Sequence, residues 1–394
     1  MTEVIVKVAA RGEGVTASGQ YFPMTAPGDV IENGQVAARG PNFQQPPCRH
    51  FPQCGGCQLQ HLSDAAYAQY CVDRLVVALG KQDLEAEIRP PHLSPPRSRR
   101  RASLKALNVG GRIKLGFNEE RSHRVVDLAE CHILRPEQFA LIGPLRDLLR
   151  HLVPPKRVAE VHMTLADQGV DLMLSGVRAE GLAAIEGMTD FATSQQLARL
   201  TIDEGYGAEP RWAPEPVTIT LSGVPVGLPP GAFLQATKDG EEALALAVRE
   251  AVGEGAILDL FAGLGTFSFA LKDREVTAAE AGRDAVLSLQ QAARRSGRSV
   301  TAQHRDLYRN PFQPNELAGF GSVVLDPPRS GAEAQVRALA DSSVSSIAYV
   351  SCNPSTFARD ARKLIDGGYR LDWVRPVGQF RWSTHVELAS RFSR

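Results

Sequence analysis

A cysteine, Cys352, stands in YVSCNPSTF, directly after an apolar run and before an Asn-Pro turn. A thiol buried in a core is a small hydrophobe. A thiol at the tip of a strand, facing a cleft, is a nucleophile. Upstream, VVLDPPRSGA closes another apolar run with Asp326, Pro327, Pro328 and Arg329. Two prolines fix an extended loop without backbone donors, which can present Asp326 to a planar base. Near the end of the chain, THVELASRF carries Glu387, with His385 beside it. Carbon C5 of a pyrimidine is a poor nucleophile. A thiolate adding at C6 makes C5 enolate-like, able to take a methyl from a sulfonium; a base must then remove the C5 proton so that the thiolate can leave. Cys352 suits the nucleophile and Glu387 the base, with His385 the alternative base. Enzymes that methylate amino groups carry an aromatic after Asn/Asp-Pro-Pro. Here Arg329 follows, which disfavours an exocyclic nitrogen as acceptor.

The same region offers a methyl-donor site. DLFAGLGTF puts Gly263 and Gly265 in a strand-to-helix turn, where glycines let a ligand approach the backbone. The pattern is not G-x-G-x-x-G and no P-loop lysine follows, so phosphates are not obviously cradled. Glu280 ends the next strand and suits a ribose diol; Asp306, after a third, suits an adenine amino group. Ribose, adenine and a cationic amino acid without phosphate describe S-adenosylmethionine.

These residues need a scaffold. From about 216 onward, apolar strands alternate with helical segments, from GAILDLF through EVTAAE, SVTAQHRD, GSVVLDPP and SSIAYVSC to HVELASRF. That pattern predicts a doubly wound α/β domain over 216–394, with ligands at the carboxyl ends of its strands. Residues 46–215 read as an α+β central domain, and GAEPRWAPEPV as a Pro-rich, exposed boundary. Residues 1–45 read as short Gly-rich strands of OB type, followed by the linker PNFQQPP.

The central region opens with Cys48, Cys54 and Cys57 in C-x5-C-x2-C spacing, and Cys131 in DLAECHIL is a remote fourth candidate. Four thiolates fit a tetrahedral zinc or an iron–sulfur cluster; three local ligands plus one distant suit [4Fe–4S] better. His50 and His61 read as surface or capping residues, and Cys71 as packing. Six cysteines in a cytosolic chain of 394 residues argue against a disulfide framework.

The formal net charge is zero, with 44 basic and 44 acidic residues, so a polyanion must be met by a local patch. Residues 97–124 supply one: Arg97, Arg99, Arg100, Arg101, Lys105, Arg112, Lys114, Arg121 and Arg124, opposed by Glu119 and Glu120. A base modified by a thiol must lie in a loop or be flipped out. Phe117, Phe233, Phe261 and Phe357 are candidates to stack on it. MTEVIVKVAARGEG lacks a signal-peptide pattern and no apolar run reaches membrane length, so a cytoplasmic protein without membrane contact is expected. No obligate protein partner is evident.

Taken together, CRHFPQCGGCQLQHLSDAAY, GAFLQAT, LDLFAGLGTFSFAL, LDPPRSG, YVSCNPSTFARD and HVEL resemble the RNA 5-methyluridine methyltransferases of the bacterial iron–sulfur branch, over nearly the whole chain. The resemblance implies a class I, Rossmann-like S-adenosylmethionine domain, Cys352 as nucleophile and Glu387 as base. It implies cofactor contacts from Gln235, Phe261, Thr266, Glu280 and Asp306, with Asp326 close to cofactor and uracil. It also implies a [4Fe–4S] cluster on Cys48, Cys54, Cys57 and Cys131, with 23S ribosomal RNA as the first substrate and transfer RNA the second. Ala262 departs from a cysteine common at its place, and residues 1–45 are short for the TRAM barrel many members carry. A rival of another class is a non-catalytic RNA-binding protein with a metal module; the presence of Cys352, Glu387 and Asp326 together speaks against it.

Overall fold

The strands Ile257–Leu260, Ser322–Leu325 and Ser346–Ser351 are buried at every position. Strands without polar alternation need cover on both faces, which is the signature of a parallel sheet between helices. The structure, a computed structural model describing residues 2–394, contains that sheet. Its strands run in the order Val300–His304, Val276–Glu280, Ile257–Leu260, Ser322–Leu325, Ser346–Ser351, Glu387–Ser393, Arg370–Gly378 and Glu87–Ile88. The first five are mutually parallel. Glu387–Ser393 is antiparallel to both neighbours. The α/β class expected from the alternating pattern is therefore present. Strand order reverses between Ile257–Leu260 and Ser322–Leu325, the crevice where open α/β sheets hold their ligands.

The chain divides into two units. One, residues 71–94, 218–379 and 385–394, holds this sheet. Leu258, Leu260, Leu325, Tyr349, Phe357 and Phe392 belong to one apolar core there; Val248, Ile257, Phe267, Val324 and Val350 belong to another.

The other unit comprises residues 2–70, 95–217 and 380–384. It contains a six-stranded sheet in the order Ala208–Trp212, Arg199–Asp203, Gly169–Ser175, Val158–Ala166, Arg101–Val109 and Arg112–Gly116. Alternate positions of Arg101–Val109 are buried, the period of a strand with one covered face. Ala208–Trp212, expected as part of a Pro-rich boundary, is an exposed edge strand. An edge tolerates Pro210 because its missing donor need not face a neighbour. The N-terminal strands form a curled antiparallel sheet in the order Tyr21–Phe22, Gly14–Thr16, Thr2–Val8, Val30–Glu32 and Gln35–Ala38. No helix among the described residues is long and apolar enough to cross a membrane.

Candidate active site

The turn after Ile257–Leu260 carries three residues with left-handed backbone: Phe261 at φ 63°, Gly263 at 55° and Gly265 at 92°. Gly265 also lacks room for a side chain, since a Cβ there would lie 2.8 Å from Phe269 Cε2. Gly263 borders open space, so its backbone conformation, not crowding, calls for glycine. A non-glycine residue such as Phe261 in this region stores strain of about 1–3 kcal/mol, a feature that clusters at functional sites. Thr266 begins the short helix Thr266–Ala270.

Glu280 ends its strand and accepts hydrogen bonds from the amides of Gly263, at 2.9 Å, and Gly282, at 2.7 Å. Its carboxylate thus fixes the glycine turn to the next strand end. Asp306 accepts from the amides of Tyr308 and Arg309 at 3.0 and 3.3 Å. The Tyr308 ring lies 5.6 Å from that of Phe261. Its hydroxyl shares a 2.8 Å hydrogen bond with Ser330 and donates to the Gly331 carbonyl, tying the Asp306 turn to the DPPRSG loop.

Cys352 falls between Ser346–Ser351 and the helix Pro354–Asp366, half-buried in the turn. Asn353 caps that helix, accepting from Ser355 N, while its amide donates to the Arg329 carbonyl. Thr356 Oγ1 donates to the same carbonyl at 3.2 Å. The nucleophile candidate and the DPPR loop are therefore held as one piece. Glu387 opens the last strand opposite Val377 and is 7% exposed.

Electrostatics set this group apart. Burial, then the charges of Glu387 and Asp326, push the Cys352 thiol up to about 11, against a smaller pull from Arg329. Burial lifts Glu387 to about 7, offset in part by a hydrogen bond from Gln379 and by Arg329. Burial and the neighbouring Glu387 and Asp259 hold Asp326 well above the usual carboxylate range. Asp259 itself is raised to about 7 by burial; Ser268 donates to its Oδ2, and its buried Oδ1 has no partner among the described residues. His385, the alternative base, is exposed, with a guanidinium nitrogen of Arg329 3.4 Å from its ring. Gln235, 3% exposed, donates to Asp326 Oδ2 at 3.3 Å.

In the other unit, Cys48, Cys54, Cys57 and Cys131 line one small cavity with Phe51, Phe117 and Gln60. Burial raises Cys54 to about 11 and Cys57 to about 12, and the thiols raise one another. Cys48 and Cys131 are raised as well, chiefly by burial. Arg99 is the cation that Cys57 and Cys131 feel. Among the described residues, no three His, Cys, Asp or Glu side chains form a group arranged to hold a metal ion. His61 corrects one expectation: it is not a surface residue but 1% exposed, and burial lowers it to about 4. His50 Nε2 accepts from the Ala129 amide at 2.9 Å, as a capping residue does. Cys71 is fully buried.

Of the basic run, Arg97, Arg112, Lys114, Arg121 and Arg124 are exposed. Arg100 is buried, which subtracts it from any surface patch. Lys105 is paired with Glu160. Phe357 lies in the core at 1% exposure, whereas Phe233 is 61% exposed, so only the second is placed to meet a base. Asp259, Tyr308 and Gln379 join the site only in the structure. Asp259 had a signal, an acid one residue from the end of the strand that leads into a glycine turn. Gln379 had none.

Comparison with known proteins adds the following. Residues 308–393 match the family described as tRNA (Uracil-5-)-methyltransferase. An uncharacterized RNA methyltransferase of Zymomonas mobilis is 47% identical over 99% of both chains. The 23S rRNA (uracil(1939)-C(5))-methyltransferase of Chromohalobacter salexigens is 35% identical over 89% of this chain and 76% of its own. The fold matches the crystal structure of Pyrococcus abyssi tRNA (uracil-54, C5)-methyltransferase in complex with S-adenosyl-L-homocysteine, with TM-score 0.77, 23% identity and full coverage of both chains.

Proposed function

The chain belongs to the RNA uracil-C5 methyltransferase family, and on that premise we propose that it methylates C5 of a uridine in 23S ribosomal RNA, using S-adenosylmethionine and a transient bond between Cys352 and C6. The observation that carries this reading is the meeting of one thiol and two raised carboxyls, Cys352 and Asp326 just past the carboxyl ends of adjacent parallel strands and Glu387 at the start of the antiparallel strand beside them. A buried structural thiol has no need of such company.

The donor set fits the proposed cofactor. Asp259, Asp326 and Glu387 are carboxyls held up by burial, and Asp259 Oδ1 has no partner among the described residues. Such a pocket favours a cation. Gly263 faces open space beside Glu280, which suits a ribose. Gln235, Phe261, Gly263, Gly265, Thr266, Glu280, Asp306 and Asp326 would hold the cofactor, whose sulfonium supplies an electrophilic methyl group.

The protein's own steps then follow. The Cys352 thiol rests protonated, because burial first, and then Glu387 and Asp326, oppose its ionisation. Before it attacks, this half-buried thiol must give its proton to solvent water, a loss that an opposite charge within a few ångströms would favour. Sγ bonds to C6 of the uracil and pushes electrons to C5. After methyl transfer, the Glu387 carboxylate takes the C5 proton and the electron pair of that C–H bond reforms the double bond, expelling the thiolate. Asp326, raised well above its usual range, is suited to donate to the uracil ring as a neutral acid.

Cys48, Cys54, Cys57 and Cys131 suit a [4Fe–4S] cluster. Two buried and two half-buried thiols line one cavity, with Cys54, Cys57 and Cys131 each raised in part by neighbouring thiols, and a bound metal removes that cost by taking thiolates. Three ligands close in sequence plus one remote suit a multi-atom cluster better than zinc, whose ligands tend to come in two pairs. The proposed transfer needs no electron from it. The exposed Arg97, Arg112, Lys114, Arg121 and Arg124 would hold phosphates. We assign catalysis to 216–394 and RNA holding to 46–215, preceded by the β region 1–45, in a cytoplasmic enzyme. A transfer-RNA substrate is the second reading, favoured by the family matched over 308–393. Mapping 5-methyluridine in ribosomal and transfer RNA from cells with and without the gene decides. Loss of a 23S site is expected; loss from transfer RNA alone would overturn the ribosomal assignment.

A further inference from the structure

Gln379 follows the strand Arg370–Gly378 and is 2% exposed, yet neither its place nor its neighbours in sequence mark it. Its side chain has three polar partners. Oε1 accepts from the Ala236 amide at 3.0 Å. Nε2 donates to Gln235 Oε1 at 2.8 Å. The Glu387 carboxyl is its third polar neighbour, on which the amide acts as a donor that favours ionisation. Gln235 in turn donates to Asp326 Oδ2 at 3.3 Å.

The direction of this chain is forced. A backbone N–H can only donate, so the oxygen of Gln379 must face Ala236. Its amino group then faces Gln235 and Glu387. Gln235 must answer with its oxygen, which turns its own amino group toward Asp326. One main-chain donor thus sets the orientation of two side-chain amides, an assignment that is otherwise ambiguous. The space for this is built in. A Cβ on Gly240 would lie 2.7 Å from Gln379 Cβ, so glycine in the first turn of Lys238–Ala251 leaves room for the amide.

We propose that Gln379 is a positioning residue, which aims amide protons at the base Glu387 directly and at Asp326 through Gln235, from an anchor on the Ala236 amide. The inference rests on Glu387 being the base that removes the C5 proton. A donor fixed on a buried carboxylate favours its ionised form and holds its lone pairs in one direction. Glu387 is faced by Asp326 from the DPPR loop, by Cys352 from the adjacent strand end and by Arg329, and the aimed amide offsets the burial that would otherwise keep it protonated.

The test is adduct breakdown followed against pH in single-turnover reactions with the full chain, S-adenosylmethionine and a uridine-containing RNA hairpin from the mapped site. Gln379→Met keeps length and removes both donors. Its acidic limb should move up by about one to two pH units, what a hydrogen bond to a charged group contributes. Adduct breakdown below that limb should slow by about 10- to 100-fold, with KM for the RNA unchanged. Gln379→Glu keeps the shape and puts a second carboxyl beside Glu387; it should move the limb at least as far, and it carries the test if the Met variant does not fold. A wild-type limb in either folded variant overturns the role of Gln379. Glu387→Gln is the control for the base itself. If that variant traps no adduct, the base reading fails; if it traps adduct while Gln379 variants keep the wild-type limb, only the present inference fails.

Discussion

The protein holds two cysteine environments, one buried and one half-buried, in which loss of water is the first cause of a raised thiol but the company differs. Cys57, with its thiol partners and Arg99, is pushed up to about 12; Cys352, beside Asp326, Glu387 and Arg329, to about 11. Both thiols resist ionisation for the same first reason, loss of water. What would relieve each is different. A group of thiols around one cavity is relieved by metal, which turns all of them into ligands at once. A thiol among carboxyls would be relieved by a cation arriving with the substrate, so under the proposed function its reactivity would stay switched off until the site fills. Burial alone therefore does not tell a structural thiol from a chemical one; the neighbours do.

The comparison breaks most sharply at Cys352. Cys352→Ala should lower methylation below about one-thousandth of wild type, the scale of losing a covalent nucleophile. Iron content and cofactor affinity should be unchanged; retained turnover would end the nucleophile assignment. Cys57→Ser should do the converse at first remove. Iron and sulfide content should fall severalfold in anaerobically prepared protein, checked by elemental analysis and visible absorbance, while a site that keeps its full metal would reject these ligands.

Glu387→Gln should retain adduct formation and block its breakdown, so a protein–RNA band that survives denaturant should accumulate in gels. In the wild type, breakdown should rise with pH through about 7, because Glu387 is raised to about 7 and must be ionised to accept a proton. The linked stability runs the other way. A carboxyl whose folded pKa lies above its unfolded value binds more protons in the native state, so stability falls as pH rises from the ordinary carboxylate range through about 7. Glu387→Gln should thus raise the melting temperature at pH 8, by the equivalent of about 1–3 kcal/mol, and leave it nearly unchanged at pH 4. An equal gain at both pH values would deny the raised carboxyl.

The smallest effects belong to the basic surface. Lys114→Gln and Arg124→Gln should each weaken RNA binding modestly and reduce the salt slope by about one, with turnover at saturating RNA unaltered. A salt slope that does not change would remove these side chains from the RNA-holding face.

Much of the site could be read along the chain, because each part sits at the end of a local pattern. An apolar run followed by glycines, or by an acid and two prolines, announces a strand and its turn through spacing alone. Glu280, Asp326 and Cys352 were legible in this way, and the structure brings their strands together as neighbours in one sheet, with Glu387 on the strand inserted beside them. His61 and Arg100 were not legible as interior residues, since a polar side chain is buried only when tertiary partners answer it. Phe357 went the same way for the opposite reason: an aromatic offers a stacking face to a base or to Tyr349, and packing chose the latter.

By itself the sequence determined the strand-and-turn grammar of the α/β sheet, the residue types that end its strands and the three-plus-one spacing of cysteines, because those depend on covalent order and local periodicity. Only the tertiary structure decided that Asp259, Asp326 and Glu387 share one buried field, and that one amide of Ala236 orients Gln379 and Gln235. Charges couple and amides choose a direction through space, and partners drawn from residues 235, 326, 379 and 387 meet only once the sheet has been assembled.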